Sequence, residues 1–211
     1  MARSLVRRAR SSTALRLSLA AAVPILLVAC GGRKTGAPPT AGHVQGAPPD
    51  LRGHSVMLLP VQSAAGISSG LQPEAEIAFA LQERAPQVRW ILPDELRSDL
   101  ARAPALGVPL ENLPVGVFLQ AEVQRVGDPL YGHLRRIAGL SGADVALIPV
   151  AIRYRRDTPR RPGAVEIAAA LVSARTGHVF WFAVVDGRPG SGDDPRAMAS
   201  AADALARAVA W

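Results

Sequence analysis

Few side chains in this sequence could do chemistry, and each stands in a distinct context. Cys30 is the only thiol. Alone it forms no intramolecular disulfide and no multi-cysteine metal site, which leaves burial or modification. Ser68 sits in Gly66-Ile67-Ser68-Ser69-Gly70, the Gly-x-Ser-x-Gly spacing of a hydrolase nucleophile. Such a serine needs a sharp turn directly between a strand and a helix. Here the strand signal ends at Val61, and Pro73 opens a helix only five residues after Ser68. Asp144 or Asp157 followed by His178 gives the Ser…Asp…His order, so a small serine hydrolase stays open as an alternative. The four histidines, His43, His54, His133 and His178, show no close metal-ligand spacing. No metal and no cofactor are expected. Neither a phosphate-binding loop nor a dinucleotide fingerprint occurs. Arg153, Arg155, Arg156, Arg160 and Arg161 form a basic cluster, offset locally by Asp157 alone. It is either a solvated hairpin tip or an electrostatic contact with an acidic partner, anionic headgroups or cell-wall carboxylates. Strand alternation would keep Arg153 and Arg155 in solvent, opposite Ile152 and Tyr154. In Phe180-Trp181-Phe182 it puts Trp181 on the face opposite the two phenylalanines. If that face is open, Trp181 is a docking surface; if covered, it is core.

The elements that must position these groups begin with an export signal. Arg3, Arg7, Arg8, Arg10 and Arg16 make a positive segment without acids, and residues 17–29 are apolar apart from Ser18. A span of roughly 13 residues suits a signal peptide and is short of the roughly 20 a membrane-crossing helix needs. The segment ends in Leu27-Val28-Ala29-Cys30-Gly31-Gly32. This order resembles the lipobox of bacterial lipoproteins. The resemblance implies cleavage before Cys30, a diacylglyceryl group on its thiol, and a further acyl chain, such as palmitate, on its new amino group. Two or more chains anchor stably where one is marginal. Gly31 and Gly32 lack the aspartate linked in some Gram-negative relatives with inner-membrane retention, which points to an outer-membrane, periplasm-facing location.

Removing residues 1–29 also changes the charge. The full chain carries 24 basic and 17 acidic residues, a net +7. Without the five leader arginines the balance is 19 to 17, a net +2. Nucleic acid is therefore not an expected partner.

Three regions follow: residues 1–29 as signal peptide, 30–53 as lipidated cysteine and flexible Gly/Pro-rich tether, and 54–211 as one domain. The tether has too few large apolar side chains to offset its chain entropy. In the domain, residues 55–61 form a buried strand. Pro73 with Glu74 and Glu76 opens a helix whose Ile77, Ala80 and Leu81 share a face. A strand over 88–92 precedes a helix begun by Pro93, with Leu96, Leu100 and Ala103 inward. Residues 105–127 read as loop with one short helix. Asp128-Pro129 caps the next helix, with Leu130, Leu134 and Ile137 inward. Strands over 145–155, 165–171 and 179–185 follow, the last two joined at Arg175-Thr176-Gly177. Pro149 implies a bulge or an N–H position facing no neighbour. Asp194-Pro195 caps a last helix carrying Met198, Ala202, Leu205 and Val209. The fold class is α/β: a single three-layer-like domain with a mixed sheet of about five strands, ordered β-α-β-α-α-β-β-β-α, and an antiparallel C-terminal hairpin.

Four pieces of this pattern resemble the domain shared by the TolB amino-terminal domain, the curli-secretion lipoprotein and the lipoprotein activators of penicillin-binding proteins. They are the strand ending Leu59-Pro60-Val61, Gly142-Ala143-Asp144 before a strand, the hairpin Thr176-Gly177-His178-Val179-Phe180-Trp181, and the closing helix after a Gly-rich loop. Ser173 departs from the acidic residue common three places before the hairpin threonine, and Pro149 from a mid-strand glycine. The resemblance implies a non-enzymatic binding, scaffold or accessory module for another envelope protein. The alternatives are the hydrolase and a subunit of a secretion or trafficking assembly. Paired strands of about 9–11 residues, which a pore would need, have no place in the sequence.

Overall fold

A computed structural model describes residues 42–120 and 122–210. The export signal and Cys30 lie outside these residues. The elements are β1 (Val44–Gly46), β2 (Ser55–Leu58), β3 (Ala64–Ala65), α1 (Pro73–Arg84), β4 (Arg89–Ile91), α2 (Pro93–Arg102), α3 (Leu130–Ser141), β5 (Val145–Arg155), β6 (Ala164–Ser173), β7 (Val179–Pro189) and α4 (Pro195–Val209). The sheet runs β1-β7-β6-β5-β2-β4, with β3 paired to β5. β2, β4 and β5 are parallel, whereas β5, β6, β7 and β1 are antiparallel.

The layers follow from the crossovers. From β2 the chain steps outward to β4 through α1, then back across β2 to β5 through α2 and α3. Both are parallel crossovers, and right-handedness puts opposite steps on opposite faces. One core therefore joins α1 and α4 to Leu58, Leu147, Ile167 and Trp181. The other joins α2 and α3 to Met57, Ile148, Ala170 and Phe182. Met198, Ala202, Leu205 and Val209 of α4 are all buried, as their spacing requires. Asp194 accepts the N–H of Arg196 and caps α4. The register of β5 against β6 slips between Pro149 and Ala151, the bulge that a proline in a paired strand calls for.

Four expectations need correction. The folded unit does not begin at residue 54. β1 is built from the expected tether: Val44 pairs with Ala183 and Gly46 with Trp181. Backbone pairing to the open edge of β7 supplies what apolar content could not. Gly46 has φ +71, and a Cβ there would collide with the Phe180 carbonyl, so this close strand approach requires glycine. Second, β1 and β3 raise the sheet from about five strands to seven. Third, residues 105–127 carry two short 3-10 turns, Pro104–Leu106 and Val115–Leu119, not one helix. Fourth, α3 starts at Leu130, and Asp128 Oδ1 accepts the Gly132 N–H from just ahead of it.

Candidate functional site

Where adjacent parallel strands send their connections to opposite faces, the C-terminal ends of the strands diverge and leave a crevice. In this sheet that place lies between β2, which leads to α1, and β4, which leads to α2 on the other face. A cleft of 680 Å³ occupies it. Val61 follows β2; Pro73, Glu74 and Phe79 come from α1; Leu92 and Pro93 stand at the start of α2. Prolines at the first turns of α1 and α2 bring both helix N-termini to this one mouth. Phe79 is 61% exposed at its edge.

Charge at the mouth is committed internally. Glu74 Oε1 accepts the Val61 N–H at 3.0 Å, and its Oε2 accepts from Arg97 Nη2 at 2.7 Å. Arg97 also donates to Asp94 at 2.8 Å and to Glu111 at 2.6 Å. Hydrogen bonding from Glu111 first, then Glu74 and Asp94, holds the guanidinium pKa above its ordinary value. Gln62 completes the frame: it donates to the carbonyls of Pro60 and Leu110 and accepts the Leu113 N–H. The cleft thus sets apolar side chains, Val61, Ala78, Phe79 and Leu92, beside a fixed charge network and the exposed Gln72 and Gln82.

A second polar group lies at the same end of the sheet. Arg153 faces Glu166 across β5–β6, and Glu166 faces Asp186 across β6–β7. Glu166 is 1% exposed and accepts from Arg153 Nε at 2.7 Å and Arg155 Nε at 2.8 Å. Arg161 donates to Asp186 at 2.7 Å. Arg153, Arg155 and Arg161 are thus half-buried partners of carboxylates. Glu166 and Asp186 were hidden from sequence inspection because they stand on neighbouring strands. Arg156 and Arg160 remain exposed. Trp181 is 2% exposed on the sheet face that α4 covers, so its face is closed and it is core, not a docking surface.

The hydrolase geometry is not assembled. The Ser68 N–H donates to the Gly192 carbonyl, just beyond the end of β7, while His178 precedes its start. Eleven residues of strand separate those ends, on the order of 35 Å. Ser68 Oγ accepts the Gly70 N–H within its own loop. Among the described residues, no group of three or more His, Cys, Asp or Glu is placed to hold a metal ion. Nor is any helix there long and apolar enough to cross a membrane.

No family model matches this chain. No curated protein matches it by sequence. Among solved structures it is similar to a PelC dodecamer from Paraburkholderia phytofirmans, 18% identical over 80% of this chain and 96% of that one, with a TM-score of 0.44. It is also similar to lipoprotein GNA1162 from Neisseria meningitidis, 16% identical over 67% of this chain and 84% of that one, with a TM-score of 0.40.

Proposed function

We propose that this chain is a lipid-anchored accessory protein of the bacterial envelope, held by acyl chains on Cys30, that binds another envelope protein and catalyses no reaction. The outer membrane, facing the periplasm, is its proposed location. The observation that carries the binding role is the cleft between β2 and β4. Apolar side chains line much of it, Phe79 stands largely in solvent, and both oxygens of Glu74 are already engaged. Apolar side chains with a few fixed polar groups suit a partner side chain or segment, and a doubly engaged carboxylate is poorly placed for proton transfer.

A photo-crosslinking residue in place of Phe79, in cells, tests this role. The expected result is one discrete crosslinked envelope protein, lost when Leu92→Asp is added. A pattern indistinguishable from that of a crosslinker at exposed Arg175 would overturn the cleft as the binding site. Labelling of Ser68 by a fluorophosphonate probe would overturn the non-enzymatic role. The anchor is tested separately: Cys30→Ser should move the protein from the membrane to the soluble fraction.

A further inference from the structure

The leash attaches to the sheet at a defined place. Gly42 donates its N–H to the Val184 carbonyl, and Val184 donates its own to His43. The chain therefore joins the domain beside Val185 and Asp186, where β5 ends and β6 begins. Had it first met the sheet at β2, it would have arrived at the opposite end, because β2 runs parallel to β5. Cys30 precedes Gly42 by twelve residues. Covalent geometry limits their separation to about 40 Å.

The loop between β5 and β6 projects from this same end. Residues 156–160 are all exposed. Arg156 and Arg160 have no hydrogen bond or ion pair among the described residues. The local carboxylates are occupied: Glu166 by Arg153 and Arg155, Asp186 by Arg161, and Asp157 by the Gly163 N–H. Five arginines stand against those three acids, an excess of two positive charges, which Arg188 against Asp193 and Asp194 beyond β7 lowers to one.

We infer that the 156–160 loop docks on an anionic lipid surface through Arg156 and Arg160, orienting the domain with the C-terminal end of β5 toward the membrane. The inference rests on the Cys30 anchor. Charge and tether length act together, since the leash keeps the loop within reach of headgroups whatever protein is bound elsewhere. An exposed arginine near an anionic surface contributes about 1 kcal/mol. Removing two should lower the docked-to-undocked ratio on the order of thirtyfold.

The test uses the full lipidated chain in vesicles. With Cys30 acylated, Pro159→Cys supplies a single reactive thiol for a fluorescent donor, and Arg175→Cys places one at the opposite end of the sheet. Energy transfer to an acceptor lipid is compared in phosphatidylcholine vesicles and in vesicles with added phosphatidylglycerol. Transfer from position 159 should rise in the anionic vesicles, exceed that from 175, and fall back in high salt. Arg156→Glu with Arg160→Glu should return it to the phosphatidylcholine value with the thermal midpoint unchanged. Equal transfer in both vesicle types overturns the inference, and so does a rise that survives the double reversal. Either can occur with the anchor intact; only membrane retention of Cys30→Ser would overturn the anchor itself.

Discussion

The two ends of the sheet use the same strands differently. At the start of β5 the molecule closes on short backbone links. Asp144 donates its N–H to Ser55, Ala174 donates to Asp144, and Ser173 donates to His178 across the hairpin turn. Ser173 Oγ accepts the Thr176 N–H, so a hydroxyl does here what an acidic side chain at that position would do. At the other end the β2 and β4 connections and the β5–β6 hairpin leave the sheet, and side-chain charge joins the main-chain links: Glu166 with its two arginines, Asp186 with Arg161, Glu74 with Arg97. The closed end is held mainly by main-chain links, whereas the open end adds ion pairs to main-chain links of its own, such as Gly190 N–H to the Gly163 carbonyl and Ser68 N–H to the Gly192 carbonyl.

The largest break in this contrast should come from Glu166→Ala. It leaves Arg153 and Arg155 without their shared carboxylate; both reach solvent and Arg155 keeps Asp186 and the Pro162 carbonyl, so the cost falls short of that of a charge stranded in the interior, at about 2–3 kcal/mol. The expected outcome is a fall of that size in unfolding free energy by urea titration. Gly177→Ala probes the closed end. Gly177 has φ +70, and a Cβ there would lie 2.8 Å from the Val126 carbonyl. The cost should be about 2 kcal/mol, read as a lower thermal midpoint and, unlike that of Glu166→Ala, insensitive to salt.

The smallest effect sharpens the comparison from the helical layer between the ends. Asp203 of α4 pairs with Arg84 of α1 and with Arg207. The Arg84 hydrogen bond comes first among the causes that hold its carboxyl below the usual carboxylate range. A lowered folded-state pKa stabilises above the unfolded value, and that stability is lost as the pH falls through the folded one. Asp203→Asn should therefore cost under about 1 kcal/mol at neutral pH, with the difference vanishing in acid. Unfolding measured across the acid range checks this.

Most of the fold was legible because its long elements carry their own periodicity and caps. The limits of β5, the first residues of α1, α2 and α4, and the bulge near Pro149 follow from local chemistry at Pro73, Pro93, Asp194 and Pro149. β1 was not legible: Val44-Gln45-Gly46 has no pattern of its own, and its pairing depends on the open edge of β7, more than 130 residues later. The cleft escaped for a similar reason, being a product of crossover direction and not of any motif. The arginine cluster was visible as charge, but its division into paired and exposed members depends on Glu166 and Asp186, which register alone brings alongside.

β1 also gives the molecule a mechanical character. Tension applied to the chain ahead of Gly42 would reach Val44–Gly46 before any other described element, and the β1–β7 hydrogen bonds would bear it first. Pulled along the strand axis they share the load in shear; pulled across it they break in succession. If β1 let go, the next hold would be Leu51, buried in the core with α1 and α4 just ahead of β2. A three-residue strand is thus the first point at which such a load meets the sheet, and a single buried leucine is the second.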